Sequence, residues 1–126
     1  MILVFGGAYQ GKLDYVLERF AFTRDDVHFC EDGMVALETD KRVIYGFENW
    51  LLALVRAEFD VQSCVDTLLP SLADKIIVTT DVSAGIVPLD TAIRAWREEV
   101  GRATTKLAQR SDEVIRMFVG IPTKLK

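Results

Sequence analysis

The sequence predicts a three-layer α/β/α domain on a mostly parallel sheet of about five strands, continuous over residues 1–126. Three observations predict it. Short apolar runs alternate with longer helical patterns along the chain, Ile76-Ile77-Val78 is apolar on both faces, and the first run ends in two glycines that lead into a helix. A strand apolar on both faces is covered by helices on each side, and strand–helix alternation implies right-handed crossovers between parallel strands.

The first strand is read over Ile2 to Phe5, halted by Gly6 and Gly7. Lys12 to Phe20 carries apolar residues at Leu13, Val16, Leu17 and Phe20, which is helical spacing. Asp26 to Cys30 is a weaker strand, and Arg42 to Phe47 a stronger one after the polar turn Thr39-Asp40-Lys41. Asn49 to Phe59 and Val61 to Leu72 read as helices, with Asp60 as the N-cap between them. Lys75 to Thr79 is the buried strand. Pro88 and Asp90 introduce the longest helix, about Asp90 to Arg110, with Ile93, Trp96, Val100, Ala103 and Leu107 near one stripe. Val114 to Val119 is the last strand, and Gly120 to Lys126 a short tail.

Composition narrows the function. Half of the chain is apolar, enough for a sizeable core without disulfides or structural metal. With 15 basic and 19 acidic residues the net charge is −4, so a nucleic-acid surface, which needs clustered Lys and Arg, is not expected. An anion site must be local and built from backbone amides. Cys30 and Cys64 lack the spacing of a zinc site or redox pair and read as free thiols. Met1 to Phe5 is too short for a signal-peptide core, and no apolar stretch approaches the ~18 to 20 residues of a spanning helix. The expectation is a cytoplasmic protein with no membrane partner.

Gly6-Gly7-Ala8-Tyr9-Gln10-Gly11-Lys12 carries the chemistry. Two glycines with four residues between them and then a lysine, after a strand and before a helix, form the arrangement of a phosphate-binding loop. The glycines turn backbone N–H groups inward, the helix adds the positive end of its dipole, and Lys12 can reach β- and γ-phosphates. The expected phosphate ligands are therefore Gly6, Gly7, Ala8, Tyr9, Gln10, Gly11, Lys12 and Leu13. The position after the lysine ordinarily carries a Ser or Thr hydroxyl that holds Mg²⁺; here it is Leu13, which cannot. Tyr9 and Gln10 add bulk where small residues are usual.

Downstream, Val78-Thr79-Thr80-Asp81-Val82-Ser83-Ala84-Gly85-Ile86-Val87-Pro88 is followed by Arg94, Trp96-Arg97-Glu98, Gly101-Arg102 and a closing Gly120-Ile121-Pro122-Thr123-Lys124-Leu125-Lys126. Together with Ile2 to Leu13, these segments resemble the adenosylcobinamide kinase / adenosylcobinamide-phosphate guanylyltransferase family of cobalamin biosynthesis. The resemblance covers roughly residues 1–20 and 74–126, with a looser match at 42–55. It implies a P-loop NTPase-like fold, ATP or GTP as donor, Mg²⁺, a corrinoid acceptor and a homo-oligomer, a trimer by analogy. The implied chemistry is phosphorylation of an aminopropanol hydroxyl, then guanylylation through a covalent histidine.

The departures are specific. The family's histidine-bearing section after the second strand is nearly absent, and His28, the one histidine, lies within the strand pattern Val27-His28-Phe29-Cys30. The guanylyl role is not carried onto it. The acid expected at the end of the third strand falls at or near Gly46, leaving Glu48 as the nearby carboxylate. Thr80-Asp81 replaces an Asn-Glu pair, and Glu98 and Thr104 replace Asp and Asn on the long helix.

Asp81, after a central strand, is the first candidate for Mg²⁺ ligand or general base, with Glu48 the second metal candidate. Asp81 also fits a turn cap through Val82 to Gly85. Arg97 is the helical arginine placed to touch phosphate, although helical arginines commonly pair with neighbouring acids. Trp50 and Trp96 fall within apolar periodicity, in the core or at an interface. Lys12 and Asp81 are the expected catalytic residues. Two functions follow: a shortened kinase that moves a phosphoryl group from ATP or GTP, or a nucleotide- or partner-binding paralogue impaired in catalysis.

Overall fold

Among the described residues six strands make one sheet, ordered β2-β3-β4-β1-β5-β6: β1 (Ile2–Gly6), β2 (Val27–Phe29), β3 (Val43–Tyr45), β4 (Ile76–Thr80), β5 (Glu113–Phe118) and β6 (Ile121–Lys124). The structure is a computed structural model and describes residues 1–82 and 89–126. The first five strands run parallel and β6 returns antiparallel to β5. The helices are α1 (Lys12–Phe20), α2 (Phe47–Arg56), α3 (Val61–Leu68) and α4 (Thr91–Arg110).

Strand parity sorts the core into two halves. Val4, Val43, Ile76, Val78 and Ile115 face Val16 of α1. Leu3, Ile44, Ile77 and Val114 face the other way, onto Phe47, Leu51 and Leu54 of α2, Val65 of α3, and Val100 and Leu107 of α4. The three layers expected from the sequence are therefore present, with α1 on one face and α2, α3 and α4 on the other. Each fully buried aliphatic side chain of this kind contributes about 1.5–3 kcal/mol.

The sheet has six strands instead of about five, because the tail is itself a strand. Val119 and Gly120 both have positive φ, 47° and 75°, the geometry of a two-residue hairpin turn that matches the twist of its strands. Pro122 hid this from the sequence, since it cannot donate to a ladder. On an outer strand that loss is tolerated, and Pro122 sits opposite Met117 there.

Helix boundaries shift for similar local reasons. Helix α2 begins at Phe47, not Asn49, because Gly46 at φ 78° ends β3 and caps the helix directly. It stops at Arg56, not Phe59: Glu58 takes φ 61°, and Phe59 is left half exposed. The segment expected to continue as helix to Leu72 becomes a 3-10 turn over Leu69–Leu72, since Pro70 lacks the N–H that an α-helix needs. Asp60 caps α3 by accepting from Ser63 N–H at 3.1 Å, and Asp90 caps α4 through Ala92 and Ile93. The readings of Gly85 and Pro88, and of the turn after Val82, fall outside the described residues. No helix among the described residues is long and apolar enough to cross a membrane.

Candidate functional site

The loop between β1 and α1 stands at the carboxyl end of the sheet. Gly6 can occupy its place only because it lacks a side chain: a Cβ there would lie 2.4 Å from the carbonyl oxygen of Met117 on β5. Tyr9 and Gly11 take φ 58° and 79°, so the chain turns twice through the left-handed region before the helix starts. An L-residue in that region costs about 1–2 kcal/mol, which marks Tyr9 as strained. Its bulk does not fill the loop, because the side chain is wholly exposed. Gln10 is held at the loop's outer flank, where its side-chain oxygen accepts from the Val119 backbone N–H of the hairpin.

Gly11 is the N-cap of α1 and provides no side-chain hydrogen bond. The first-turn amides of a helix have no intrahelical partner, so those of α1 are ready for an outside acceptor. Lys12 follows at once. Its side chain is 5% exposed, and its Nζ donates to the Gly7 carbonyl at 2.6 Å, across the mouth of the loop. Burial pulls its pKa below the usual lysine value, and the negative charge of Glu48 opposes that fall.

Glu48 lies in the first turn of α2 and is half-buried. Its Oε1 accepts from the Thr80 backbone N–H at 2.9 Å and the Thr79 hydroxyl at 3.3 Å. Its own carbonyl accepts from the Trp96 indole at 2.7 Å. Three backbone bonds stitch four strand ends together nearby: Asp81 N–H donates to Gly6 O at 2.7 Å, Gly46 N–H to Val78 O at 3.1 Å, and Cys30 N–H to Tyr45 O at 2.9 Å. Glu48 is therefore fixed by contacts from β4 and α4, in electrostatic reach of Lys12.

The loop opens into a cleft of about 430 Å³ lined by residues 8–14 and by Arg24, Phe29 and Tyr45. The structure thus brings Ala8, Tyr9, Gln10, Gly11, Lys12 and Leu13 to one cleft, with Gly6 and Gly7 at its root. It does not bring Glu48, Asp81 or Arg97 into that lining. Asp81 has an exposed side chain and lines a separate, largely apolar cavity of about 380 Å³ against α4, with Phe5, Thr79 and Gly101. Arg97 is half-buried on α4. Arg24, Phe29 and Tyr45 escaped the sequence reading, because their meeting depends on the β2–β3 register, which pairs Phe29 with Tyr45. His28 is mid-strand in β2, between Arg24 and Phe29 in sequence.

Among the described residues no group of three His, Cys, Asp or Glu side chains could enclose a metal ion. Mg²⁺ does not require such a cage, since it keeps several waters and is commonly held by one or two carboxylates together with phosphates. Glu48, a half-buried carboxylate whose charge reaches Lys12, is of the type that could take that role; Leu13 is not. Asp81 would add a second carboxylate from the neighbouring strand end.

A family model described as cobinamide kinase / cobinamide phosphate guanyltransferase matches residues 43–125. The chain belongs to this family. The bifunctional adenosylcobalamin biosynthesis protein CobU of Salmonella typhimurium is 32% identical over 81 residues, which are 63% of this chain and 45% of that protein. The chain thus spans about half the length of the curated relative it matches. The family match takes in β3, Glu48, β4, α4 and the closing hairpin, while the glycine loop precedes it. Membership places the protein in a family of cobalamin biosynthesis that uses nucleotides.

Proposed function

We propose that the protein binds ATP or GTP by its phosphates at the loop after β1 and transfers the terminal phosphoryl group to a corrinoid hydroxyl. The observation that carries this reading is Lys12: a buried ammonium at the mouth of a glycine-bounded loop, at the start of a helix, with the Glu48 carboxylate close enough to influence its charge. In this account the amides of Gly7 to Lys12 hold the β- and γ-phosphates, and Lys12 exchanges the Gly7 carbonyl for a phosphate oxygen. The acceptor oxygen bonds to the γ-phosphorus as the bond to the β–γ bridging oxygen breaks, and the hydroxyl proton passes to the transferred phosphate. Mg²⁺, held by Glu48 with a contribution from Asp81, would neutralise phosphate charge when bound. Arg97, on α4 outside the cleft lining, is the further candidate for a phosphate contact.

A second reading, nucleotide binding with impaired transfer, is favoured by Leu13 in place of the metal-binding hydroxyl. His28 receives no guanylyl-transfer role, because it sits within a strand of the sheet. We also propose a homo-oligomer; the exposed Phe118, Val119 and Ile121 on the closing hairpin support it. The test of activity is a phosphoryl-transfer assay with adenosylcobinamide, ATP or GTP, and Mg²⁺. Phosphorylated corrinoid, absent with Lys12→Ala, is the expected result. Nucleotide binding without product under any condition would leave the second reading in its place.

A further inference from the structure

The chain has two tryptophans, and their indole N–H groups end differently. Trp50, on α2, donates to the Val35 carbonyl at 2.9 Å, in the irregular segment between β2 and β3. Trp96, on α4, reaches 48 residues back along the chain and donates to the Glu48 carbonyl at 2.7 Å. Its ring is half-buried and packs against the core that α2, α3 and α4 share with the sheet. A buried indole N–H needs an acceptor in any case, so the bond by itself is ordinary. What singles it out is the residue it meets.

Glu48 is anchored at both ends. Its carbonyl is tied to α4 by Trp96, and its carboxylate to β4 by the Thr79 hydroxyl and the Thr80 N–H. The helix start that carries it has no side-chain cap of its own, so these contacts hold it from outside α2. A glutamate has several rotatable bonds to immobilise, and a side chain fixed at each end is ready for use without further ordering. We propose that Trp96 is a positioning residue for the phosphate site: its indole pins the first turn of α2 to α4 and so fixes the Glu48 carboxylate relative to Lys12 and to the metal of a bound nucleotide. The inference rests on the nucleotide reading above and adds to it a residue that touches neither nucleotide nor metal. Phenylalanine in this place keeps a ring in the core and loses the donor, which leaves Glu48 tethered from β4 alone.

The test begins with the wild type. In a ¹H–¹⁵N correlation spectrum of the full chain, Trp50→Phe tells the two indole signals apart, and ATP or GTP is then added with Mg²⁺. The Trp96 signal should shift, the Trp50 signal should stay, and Lys12→Ala should abolish the shift. Calorimetric titration gives a second readout, the ratio of nucleotide affinity with Mg²⁺ to that without. Trp96→Phe should lower this ratio about threefold to tenfold, the scale of one lost hydrogen bond. In a Glu48→Gln background, where the ratio is already reduced, it should change nothing further. A merely structural tryptophan would lower the unfolding temperature and leave the ratio alone in both backgrounds. The wild-type spectrum decides even if Trp96→Phe does not fold. An unmoved Trp96 signal in the nucleotide-bound wild type, or a wild-type ratio in Trp96→Phe, would overturn the positioning role and leave the phosphate site standing. No binding of either nucleotide to the wild type would remove the nucleotide reading, and the role of Trp96 with it.

Discussion

Helices α1 and α2 begin alike and end up with opposite roles. Each follows a strand of the sheet, and each is capped by a glycine in nearly the same left-handed conformation, Gly11 at φ 79° and Gly46 at φ 78°, with no side-chain cap. Gly46 is buried, lies one residue from its strand, and is followed by Phe47 in the core. Glu48, in that first turn, spends its Oε1 on Thr79 and Thr80. Gly11 is exposed, lies five residues from the end of β1, and is followed by a lysine bonded to the loop itself. The first start is packed into the core and tied to β4 through Glu48, and the second is open to an anion from outside. What separates them is not the cap but the slack before it.

The largest expected effect comes from removing that slack at its root. Gly6→Ala should cost about 3 kcal/mol or more in urea unfolding, because its Cβ meets the Met117 carbonyl and the backbone of β1 or β5 must move. Lys12→Met should act on binding: nucleotide affinity falls roughly 100-fold, the scale of a charge-assisted contact, while stability holds or rises as a buried charge is removed. Calorimetry beside thermal unfolding reads both, and a parallel loss of stability would contradict the assignment. Gly46→Ala should destabilise by about 2 kcal/mol, from positive φ together with the Asn49 amide 3.1 Å from the new Cβ. Gly11→Ala, with its nearest neighbour at 3.8 Å, should cost about 1 kcal/mol and mainly weaken anion binding.

Proton linkage sharpens the comparison further. Lys12 has a lowered pKa in the folded protein, so over the window between that value and 10.5 the unfolded chain binds more protons. Its buried charge therefore disfavours the fold at neutral pH, and this penalty is relieved as pH rises through the folded pKa. Phosphate binding needs the charged form, so nucleotide affinity should fall over the same rise in pH. Glu48→Gln removes the charge that supports the lysine and should move the window lower. Titrations across pH, in buffers of different ionisation enthalpy, would show the proton uptake. The smallest effect concerns thiols. Burial and the Glu48 charge push Cys30 up to about 12, so a thiol reagent at neutral pH should modify Cys64 first and reach Cys30 only on unfolding.

Much of this was legible in the residues. The β1–loop–α1 unit follows from Ile2 to Phe5, the glycines and the Lys12 to Phe20 stripe, because local chemistry decides each boundary. The α4 helix and its Asp90 cap follow for the same reason. The closing strand did not, since Pro122 and the polar tail resemble a strand only once β5 supplies a partner. The site was legible where it is contiguous and obscure where it is assembled. Lys12 could be named from its spacing, whereas Glu48 acquires its position from Thr79, Thr80 and Trp96, none of them near it in sequence. Asp81, which follows a central strand as a ligand residue should, turns out to line the α4 cavity and not the loop's cleft.

The most direct test of the account is titration of the full chain with ATP and with GTP, with and without Mg²⁺, beside Lys12→Ala. The account predicts micromolar binding of at least one nucleotide, strengthened by Mg²⁺ and lost with Lys12→Ala. Binding that survives Lys12→Ala, or none under any condition, would contradict the assignment of the loop after β1 as the phosphate site.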